Sequence, residues 1–316
     1  MSTEEFCYSS SDGKTKIRAL KWIPEYEIKA VIQISHGMFE HIERYDEFAS
    51  YMAEHGILTV GNDHLGHGNS VAGEDSRGYF GEPDGNYALI GDMHRIMNII
   101  KNENPDVPYF ILGHSMGSFL ARQFITLYGS EIDGAIISGT GQQSLKLIKF
   151  GIYITKLIAS VKGWKYRSKF VDFLALGGNN NKFKPARTKF DWLTRDADIV
   201  DNYISDSRIN FIFTLNGFHN MFKGMLAMNE KESLNRIPKN LPMLFLSGDC
   251  DPVGNFGKDV VKAFDIYKKL GMKNISMKLY KGDRHEILNE LDREQIYEDI
   301  LMWIGDLLMK EELIRN

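Results

Sequence analysis

The sequence is poor in the features that mark several protein classes. Its 316 residues include only two cysteines, Cys7 and Cys250, whose separation suits neither a disulfide framework nor a zinc site. The longest apolar segment, 145–161, is interrupted by three lysines, so a membrane-spanning helix of about 20 apolar residues is not expected. Neither sign of charge dominates: 38 basic and 42 acidic side chains leave a formal net charge of −4, which disfavours nucleic acid as a partner.

The beginning of the chain lacks the basic residues and apolar stretch of a secretory signal. Residues 1–6 start acidic instead. Because cysteines are so few, a reducing compartment is expected, and we predict a cytoplasmic location. The remaining composition is typical of a folded protein that stays in water, since 43% apolar and 25% charged residues argue against disordered, fibrous and repeat classes.

Short β-branched apolar runs alternate with helix-like stretches through the first 140 residues, which predicts a mostly parallel sheet covered by helices. An Asp-Gly turn between the first two runs predicts an opening hairpin. The alternation returns late in the chain and brings the expected sheet to eight strands. These strands are expected at 6–10, 16–22, 31–35, 58–62, 109–113, 134–138, 242–247 and 276–280.

The alternation is interrupted in the middle of the chain. Helix-like pieces at 145–161, 196–205 and 211–228 follow one another there without a strand-like run. An inserted helical cap explains this interruption best. We therefore expect an α/β core formed by residues 1–140 and 237–316, and a cap formed by residues 141–236.

A Gly-His-Ser-Met-Gly segment at residues 113–117 directly follows an expected strand and directly precedes a helix-like stretch. This is the context that a nucleophile elbow requires. The two glycines allow a turn too sharp for side chains at their positions, and the turn leaves the hydroxyl of Ser115 exposed at the start of a helix. We therefore predict that Ser115 is a nucleophile.

A serine hydroxyl is a weak nucleophile unless a base accepts its proton and a third group orients that base. Two such partners follow downstream, each just past an expected strand. His285 is the expected base. Asp251 is the expected orienting acid, although Asp249 remains an alternative. Ligands bind at the carboxyl ends of strands in such sheets, so these side chains are expected to converge there.

Attack on a carbonyl creates an oxyanion, which needs preorganised N–H donors. The backbone amide after the nucleophile, that of Met116, is the first expected donor. A second is expected from the loop after an early strand, where His36 and Gly37 precede Met38. Because Gly37 permits a close approach of the backbone, we predict that the Met38 amide is the second donor.

Two longer segments are more specific than the elbow. Residues 36–45 read His-Gly-Met-Phe-Glu-His-Ile-Glu-Arg-Tyr, and residues 63–70 read Asp-His-Leu-Gly-His-Gly-Asn-Ser. With them the chain resembles, over nearly its whole length, the monoacylglycerol lipase and lysophospholipase-like branch of the α/β-hydrolase superfamily. The resemblance implies the α/β-hydrolase fold. It also implies the same triad and amide donors, namely Ser115, Asp251, His285, Met38 and Met116.

One departure from that branch is Phe39, where many members carry glycine, and it bears on the width of the acyl pocket. The residues expected to support the site or contact substrate are His36, Gly37, Phe39, Glu40 and His114. Glu40, His41 and Arg44 are expected to form one buried polar network that supports the oxyanion loop.

The remaining histidines do not predict a metal site. Gly66 and Gly68 disfavour a helical ligand face at His64 and His67, and no third ligand has a matching spacing. Neither a metal nor an organic cofactor is expected. Four methionines either line an acyl tunnel or belong to the core, namely Met116, Met221, Met225 and Met228.

The cap holds an uneven charge pattern. Residues 141–171 contain no acid and seven bases, so this segment carries a formal charge of +7 and the rest of the chain −11. The bases are Lys146, Lys149, Lys156, Lys162, Lys165, Arg167 and Lys169. Large apolar residues lie between them, which predicts either contact with an anionic lipid surface or headgroup, or a solvated face of a helix that packs on the core.

These features predict a serine carboxylic ester hydrolase that forms an acyl-enzyme. The resemblance and the oily cap favour a single-chain acyl ester, such as a monoacylglycerol or lysophospholipid, and small aryl esters are expected to react as well. One alternative is a catalytically silent ligand-binding protein on this scaffold. Another is an aminopeptidase or amide hydrolase of the same fold, with a substrate ammonium held by cap acids, namely Asp191, Asp196, Asp198 and Asp201.

Overall fold

The structure is a computed structural model that describes residues 1–209 and 211–315, with side chains up to residue 310. Its strands are β1 (Ser2–Ser9), β2 (Lys16–Ile23), β3 (Ala30–Ser35), β4 (Ile57–Asn62), β5 (Tyr109–His114), β6 (Gly134–Ser138), β7 (Met243–Gly248) and β8 (Ile275–Tyr280). They form one sheet in the order β1-β2-β4-β3-β5-β6-β7-β8. The β1–β2 and β2–β4 pairs are antiparallel and the others parallel. The expected mostly parallel, eight-stranded sheet is confirmed.

Ten α-helices lie within the described residues. They are α1 (Asp46–Glu54), α2 (Gly85–Glu103), α3 (Met116–Tyr128), α4 (Leu145–Lys162), α5 (Lys169–Leu176), α6 (Ala197–Ser205), α7 (Leu215–Ala227), α8 (Lys231–Asn235), α9 (Lys258–Lys269) and α10 (Arg293–Arg315). On one face of the sheet α2, α3 and α9 contribute to the apolar core, and on the other α1 and α10 do so.

The central strands supply both apolar layers. In β5, Tyr109 and Ile111 belong to the core on one face of the sheet, and Phe110 and Leu112 belong to the core on the other. Successive side chains of a strand point to opposite faces, so a strand covered on both sides must be apolar throughout. This burial explains the continuous apolar runs that make the central strands recognisable in the sequence.

Helices α4 to α8 lie between β6 and β7, where the cap is expected, and we call residues 141–236 the cap; its division from the core stays a prediction. The described part of the cap, all but residue 210, contains no strand. Buried Ile148, Gly151 and Thr155 share the face of α4 that packs on α7, and α7 packs on α3. Among the described helices, none is long and apolar enough to cross a bilayer.

Three of the five cap helices differ from the expectation, and one of them is α8, a five-residue helix that is not predicted. Helix α5 is not predicted at all, since it buries only Val171 and so leaves no readable apolar period. Helix α7 starts at Leu215 instead of residue 211. Thr214 explains the later start. Its backbone N–H and its hydroxyl both donate hydrogen bonds to the carbonyl of Gly78. Its side-chain oxygen accepts a hydrogen bond from the amide of Gly217, so Thr214 is the N-cap of the helix.

The position of α3 against the sheet depends on one glycine. A Cβ on Gly117, in the first turn of α3, would lie 1.9 Å from the carbonyl oxygen of Ser35 at the end of β3. Backbone on both sides leaves no flexible atom to move away. Gly305 in α10 is the opposite case, since a Cβ there would meet no atom within 4 Å.

We predict that Gly117→Ala lowers the free energy of unfolding by about 4 kcal/mol or more, because the helix must move away from the sheet. Gly305→Ala should raise it by roughly 0.5–1 kcal/mol, since alanine is the better helix former and has room. Urea denaturation followed by circular dichroism measures both. Similar changes in the two variants would contradict the close approach at Gly117.

Candidate active site

The elbow is formed where β5 ends at His114 and α3 begins at Met116. Ser115 lies between them with a φ of 54° and a ψ of −119°, a conformation that costs a residue with a side chain on the order of 1–3 kcal/mol. The amide of Ser115 donates to the carbonyl of Ser138, at the end of β6, over 3.0 Å. The turn is thereby held, and Ser115 remains partly exposed at the edge of the sheet.

The structure brings Ser115, His285 and Asp251 into one hydrogen-bonded chain. Nε2 of His285 lies 2.8 Å from Oγ of Ser115, and Nδ1 lies 2.9 Å from Oδ1 of Asp251. Because Nδ1 donates to the carboxylate, Nε2 is left to accept the serine proton. Asp249 does not contact the imidazole; its Oδ1 accepts the backbone N–H of Gly282 at 2.7 Å. The geometry therefore favours Asp251 as the orienting acid.

The expected oxyanion loop lies beside Ser115. A Cβ on Gly37 would lie 2.5 Å from Oε1 of Glu40 and 3.0 Å from Cβ of Ser115, so a larger residue would push the loop away from both. The amide of Met116 belongs to the first turn of α3, where N–H groups have no acceptor within the helix. Met38 and Met116 both line the cavity above Ser115. This arrangement can hold an anion against backbone donors.

Glu40 is the centre of a buried network beneath that loop. Its carboxylate accepts hydrogen bonds from the amide of Gly37, the hydroxyl of Tyr45 at 3.0 Å, the guanidinium of Arg44 at 2.9 Å and the ring of His114 at 3.2 Å. Burial alone would raise the pKa of Glu40, but the hydrogen bond and charge of His114, with Arg44, hold that pKa well below its ordinary value. The carboxylate therefore stays ionised and ties the loop to the elbow.

His41 is not part of this network, which corrects the expectation for it. Its Nε2 lies 2.8 Å from Oδ2 of Asp206 in the cap. Arg44 instead has a second partner, Glu286, because its two terminal nitrogens donate hydrogen bonds to that carboxylate at 2.7 and 2.6 Å. The network thus extends from the expected oxyanion loop to Glu286, the residue that follows His285.

Three buried histidines form a neutral cluster behind the oxyanion loop. The ring centroid of His36 lies 4.2 Å from that of His64 and 5.2 Å from that of His67. Burial lowers the pKa of His36 and of His67 to about 3 and lowers that of His64 as well. Nε2 of His36 accepts a hydrogen bond from the backbone N–H of His64 at 2.9 Å. The ring proton is therefore on Nδ1, which donates to the carbonyl of Gly37 at 2.8 Å. His36 therefore fixes the loop that carries Met38.

A cavity of about 1420 Å³ opens above Ser115 and His285. One part of its wall is made of Phe119, Ile148, Met221, Phe222 and Met225. Another part is made of Phe39, Phe190, Trp192, Leu193 and Phe211. Of the four methionines considered in the sequence, three line this cavity, and Met228 is instead fully buried between cap and core. The cavity is therefore a mostly apolar space with Ser115 and His285 at its base.

Phe39 narrows the cavity beside the oxyanion loop. Its φ of 57° lies in the left-handed region, which favours glycine. Edge-to-face contacts with Phe211 and Phe213, at centroid distances of 5.2 and 4.9 Å, hold the ring in place. The core loop is thereby packed against the cap at this point.

Residues 26–292 match the family model described as serine aminopeptidase, S33. The chain belongs to this family. Two relatives match most of this chain. A monoglyceride lipase homolog of monkeypox virus is 26% identical over 90% of this chain and 92% of its own length. The human monoglyceride lipase is 27% identical over 90% of this chain and 85% of its own length. The solved structure of a thermostable carboxyl esterase from Bacillus coagulans, in complex with glycerol, has a TM-score of 0.90 at 26% identity and covers 98% of this chain and 99% of that one.

Membership of the S33 family, with these relatives, confirms three predictions from the sequence. They are the α/β-hydrolase fold, the resemblance to the monoacylglycerol lipase branch and the serine hydrolase activity class.

Sequence reasoning missed two residues that touch the site from outside its motifs. Glu286 adjoins His285, but its partner Arg44 is 242 residues away. Trp192 lies in the cap, with its ring centroid 5.0 Å from that of His285. The acid beside the expected base was a signal for Glu286, whereas no local pattern points to Trp192.

We predict that Glu40→Gln lowers the free energy of unfolding at pH 7 by about 3–5 kcal/mol, because it leaves the buried Arg44 without part of its counter-charge. The folded pKa of Glu40 lies below the unfolded value of 4.5. Its stabilising contribution is therefore present above pH 4.5 and is lost as pH falls below that value.

Urea denaturation measures the free energy of unfolding of wild type and Glu40→Gln at pH 7 and at pH 4 and below. The difference between the two proteins should become smaller on acidification. The exposed Glu74→Gln is the matched control and should change stability little. A difference that stays constant with pH would assign the role of Glu40 to packing instead of charge.

Proposed function

We propose that this chain is a serine carboxylic ester hydrolase that works through an acyl-enzyme on Ser115. The observation that carries the proposal is the hydrogen-bonded chain from Ser115 through His285 to buried Asp251, at the base of an apolar cavity. A buried carboxylate on Nδ1 fixes the tautomer that acylation needs. The comparisons support the same class of enzyme.

In this mechanism Oγ of Ser115 attacks the ester carbonyl while Nε2 of His285 takes its proton. The amides of Met38 and Met116 stabilise the oxyanion of the tetrahedral intermediate. The imidazolium, balanced by Asp251, then protonates the leaving alcohol. Water activated by His285 attacks the acyl-enzyme, and the returned proton restores Ser115 as the acid leaves.

The proposed substrate is a single-chain acyl ester, such as a monoacylglycerol or lysophospholipid. The apolar wall with Met221, Phe222 and Met225 suits a flexible acyl chain, since methionine adapts to irregular apolar shapes. The relatives named monoglyceride lipase and the esterase solved with glycerol support a glycerol ester in particular. Phe39 limits the width available beside the oxyanion loop.

The cap also supports contact with a lipid surface. On α4, the side chains of Phe150, Leu157 and Val161 are 50%, 49% and 79% exposed, and they lie opposite the face that packs on α7. All six lysines of residues 141–171 are exposed, whereas Arg167 is partly buried and donates to the carbonyls of Asp75 and Ile212. We propose that this face rests on an anionic membrane, from the cytoplasmic side, and admits substrate from it.

The aminopeptidase alternative is favoured by the family description, but the four cap acids expected to hold a substrate ammonium do not support it. The carboxylate of Asp191 accepts a hydrogen bond from the hydroxyl of Thr188, Asp201 forms an ion pair with Arg187, and Asp196 caps α6. The structure describes all four acids considered for this role, and none of them lines the cavity. An amine-binding site is therefore not built from these residues, and we favour the ester.

Replacement of the nucleophile tests the activity directly. We predict that Ser115→Ala abolishes both ester turnover and labelling by a fluorophosphonate, with an unchanged circular dichroism spectrum. A panel of monoacylglycerols, lysophospholipids, aryl esters and aminoacyl amides, assayed with wild type, separates esterase from peptidase. Absence of both labelling and turnover in the wild type would favour a binding protein, and turnover retained in the variant would contradict the triad.

The two aspartates after β7 give a matched comparison. Asp251→Asn should lower kcat on the order of 10³–10⁴-fold, because the imidazole loses the carboxylate that selects its tautomer. Asp249→Asn should change kcat little, since the carboxylate of Asp249 accepts the amide N–H of Gly282 and does not contact the imidazole. Steady-state kinetics on a soluble aryl ester measures both, and the reverse ranking would assign the role to Asp249.

The lysines of α4 test the contact with lipid. At roughly 1 kcal/mol for each cation at an anionic surface, replacing Lys146, Lys149 and Lys156 by Gln should weaken binding to phosphatidylserine vesicles on the order of 10²-fold. Hydrolysis of a soluble aryl butyrate should not change. The control replaces exposed lysines of α9, namely Lys258, Lys268 and Lys269. Equal sedimentation with anionic and neutral vesicles, at any salt concentration, would contradict the proposal.

A further inference from the structure

The backbone around His285 is held from the cap. We call residues 191–196 the support segment and residues 283–292 the histidine loop. The backbone N–H of His285 donates to the carbonyl of Trp192 at 3.4 Å, and that of Glu286 donates to the carbonyl of Leu193 at 2.7 Å. The two segments therefore pair through their backbones directly at the histidine of the triad.

Side chains from both segments extend this pairing. The guanidinium of Arg284 donates to the carbonyls of Asp191 and Thr194, the latter at 3.1 Å. In the other direction, the hydroxyl of Thr194 donates to the carbonyl of Asn289 at 2.8 Å. The contact is thus continuous on either side of His285.

Arg195 is the strongest of these connections. Its guanidinium lies 2.5 Å from Asp283, 2.8 Å from Glu290 and 2.5 Å from Asp292. The side chains of Asp283 and Glu290 are fully buried. Their carboxylates would repel one another without a cation, and Arg195 supplies that cation from the support segment. The backbone amide of Arg195 also donates to Glu290 at 3.2 Å.

The imidazole itself contacts two aromatic rings. The ring centroid of Trp192 lies 5.0 Å from that of His285, with 37° between the planes. The ring of His114 lies 4.8 Å away, with 45° between the planes. Trp192 also lines the cavity, so its indole limits both the rotation of the imidazole and its exposure to water in the cavity.

We propose that the support segment is a fixed part of the active site and not of a moving lid, with Arg195 and Trp192 as positioning residues for His285. The proposal rests on the triad proposed above. Arg195 holds the loop that carries the imidazole, and Trp192 holds its ring. A displacement near 1 Å of a reacting group costs on the order of 10²-fold in rate, so loss of either residue must appear in the chemical step.

Four variants test these roles on a soluble substrate, p-nitrophenyl butyrate. Arg195→Gln and Trp192→Leu should each lower kcat about tenfold or more, with KM changed less than about twofold. Trp192→Phe should retain most of kcat, because it keeps an aromatic ring at this position. The matched control is Arg187→Gln, another cap arginine, which pairs with exposed Asp201 and not with the histidine loop; it should behave as wild type.

A spectroscopic signature distinguishes positioning from general stability. The Nδ1 proton shared by His285 and Asp251 should give a low-field proton resonance in wild type and in Arg187→Gln, and this resonance should broaden or vanish in Arg195→Gln and Trp192→Leu. If Arg195→Gln does not fold, the two Trp192 variants decide, since Trp192 lies at the cavity wall.

If folded Trp192→Leu shows unchanged kcat and an unchanged resonance, the proposed role of Trp192 is overturned. The same result in folded Arg195→Gln would overturn the proposed role of Arg195. An equal loss of kcat in Arg187→Gln would also overturn the role of Arg195, because the effect would then not depend on the histidine loop. These outcomes are separate from failure of the triad, which would appear as turnover retained in Ser115→Ala.

Discussion

The active site depends on one conformational constraint: the chain must change from strand to helix within a single residue, Ser115. Its left-handed backbone is possible because neighbouring segments come unusually close. Gly117 lets α3 touch the end of β3, and Gly37 lets the next loop approach Ser115. The strain at Ser115 is offset by the packing of the whole sheet, so the exposed hydroxyl is a consequence of the fold and not of local flexibility.

Charge is distributed around this turn in a way that keeps the loops in one arrangement. The buried histidines behind the oxyanion loop are neutral, since burial lowers the pKa of each. Glu40 is ionised and accepts four hydrogen bonds, and Arg44 connects it to Glu286 beside the triad. The cap completes the arrangement from the other side, because Arg195 neutralises the buried acids of the histidine loop. Core and cap therefore both determine where the imidazole lies.

Much of this could be predicted from sequence, because it follows from local patterns. The central strands have continuous apolar runs, and the elbow, Asp251 and His285 each follow such a run. The beginning of β1 was harder to predict: residues 2–5 are exposed on an edge strand and carry no apolar pattern. Helix α5 was missed for a similar reason, because it buries a single side chain.

Contacts between distant parts of the chain could not be predicted in the same way. The partner of His41 is Asp206, and those of Arg195 lie 88 or more residues away. No spacing in a single sequence encodes such pairs. The most direct test of the acyl-enzyme mechanism is to mix the enzyme with an ester whose acyl-enzyme hydrolyses slowly, to quench in acid and to map the product by peptide mass spectrometry. The mechanism predicts one acyl group, on the peptide containing Ser115, formed as fast as the first alcohol is released. Acylation elsewhere, or turnover without any acylated peptide, would contradict it.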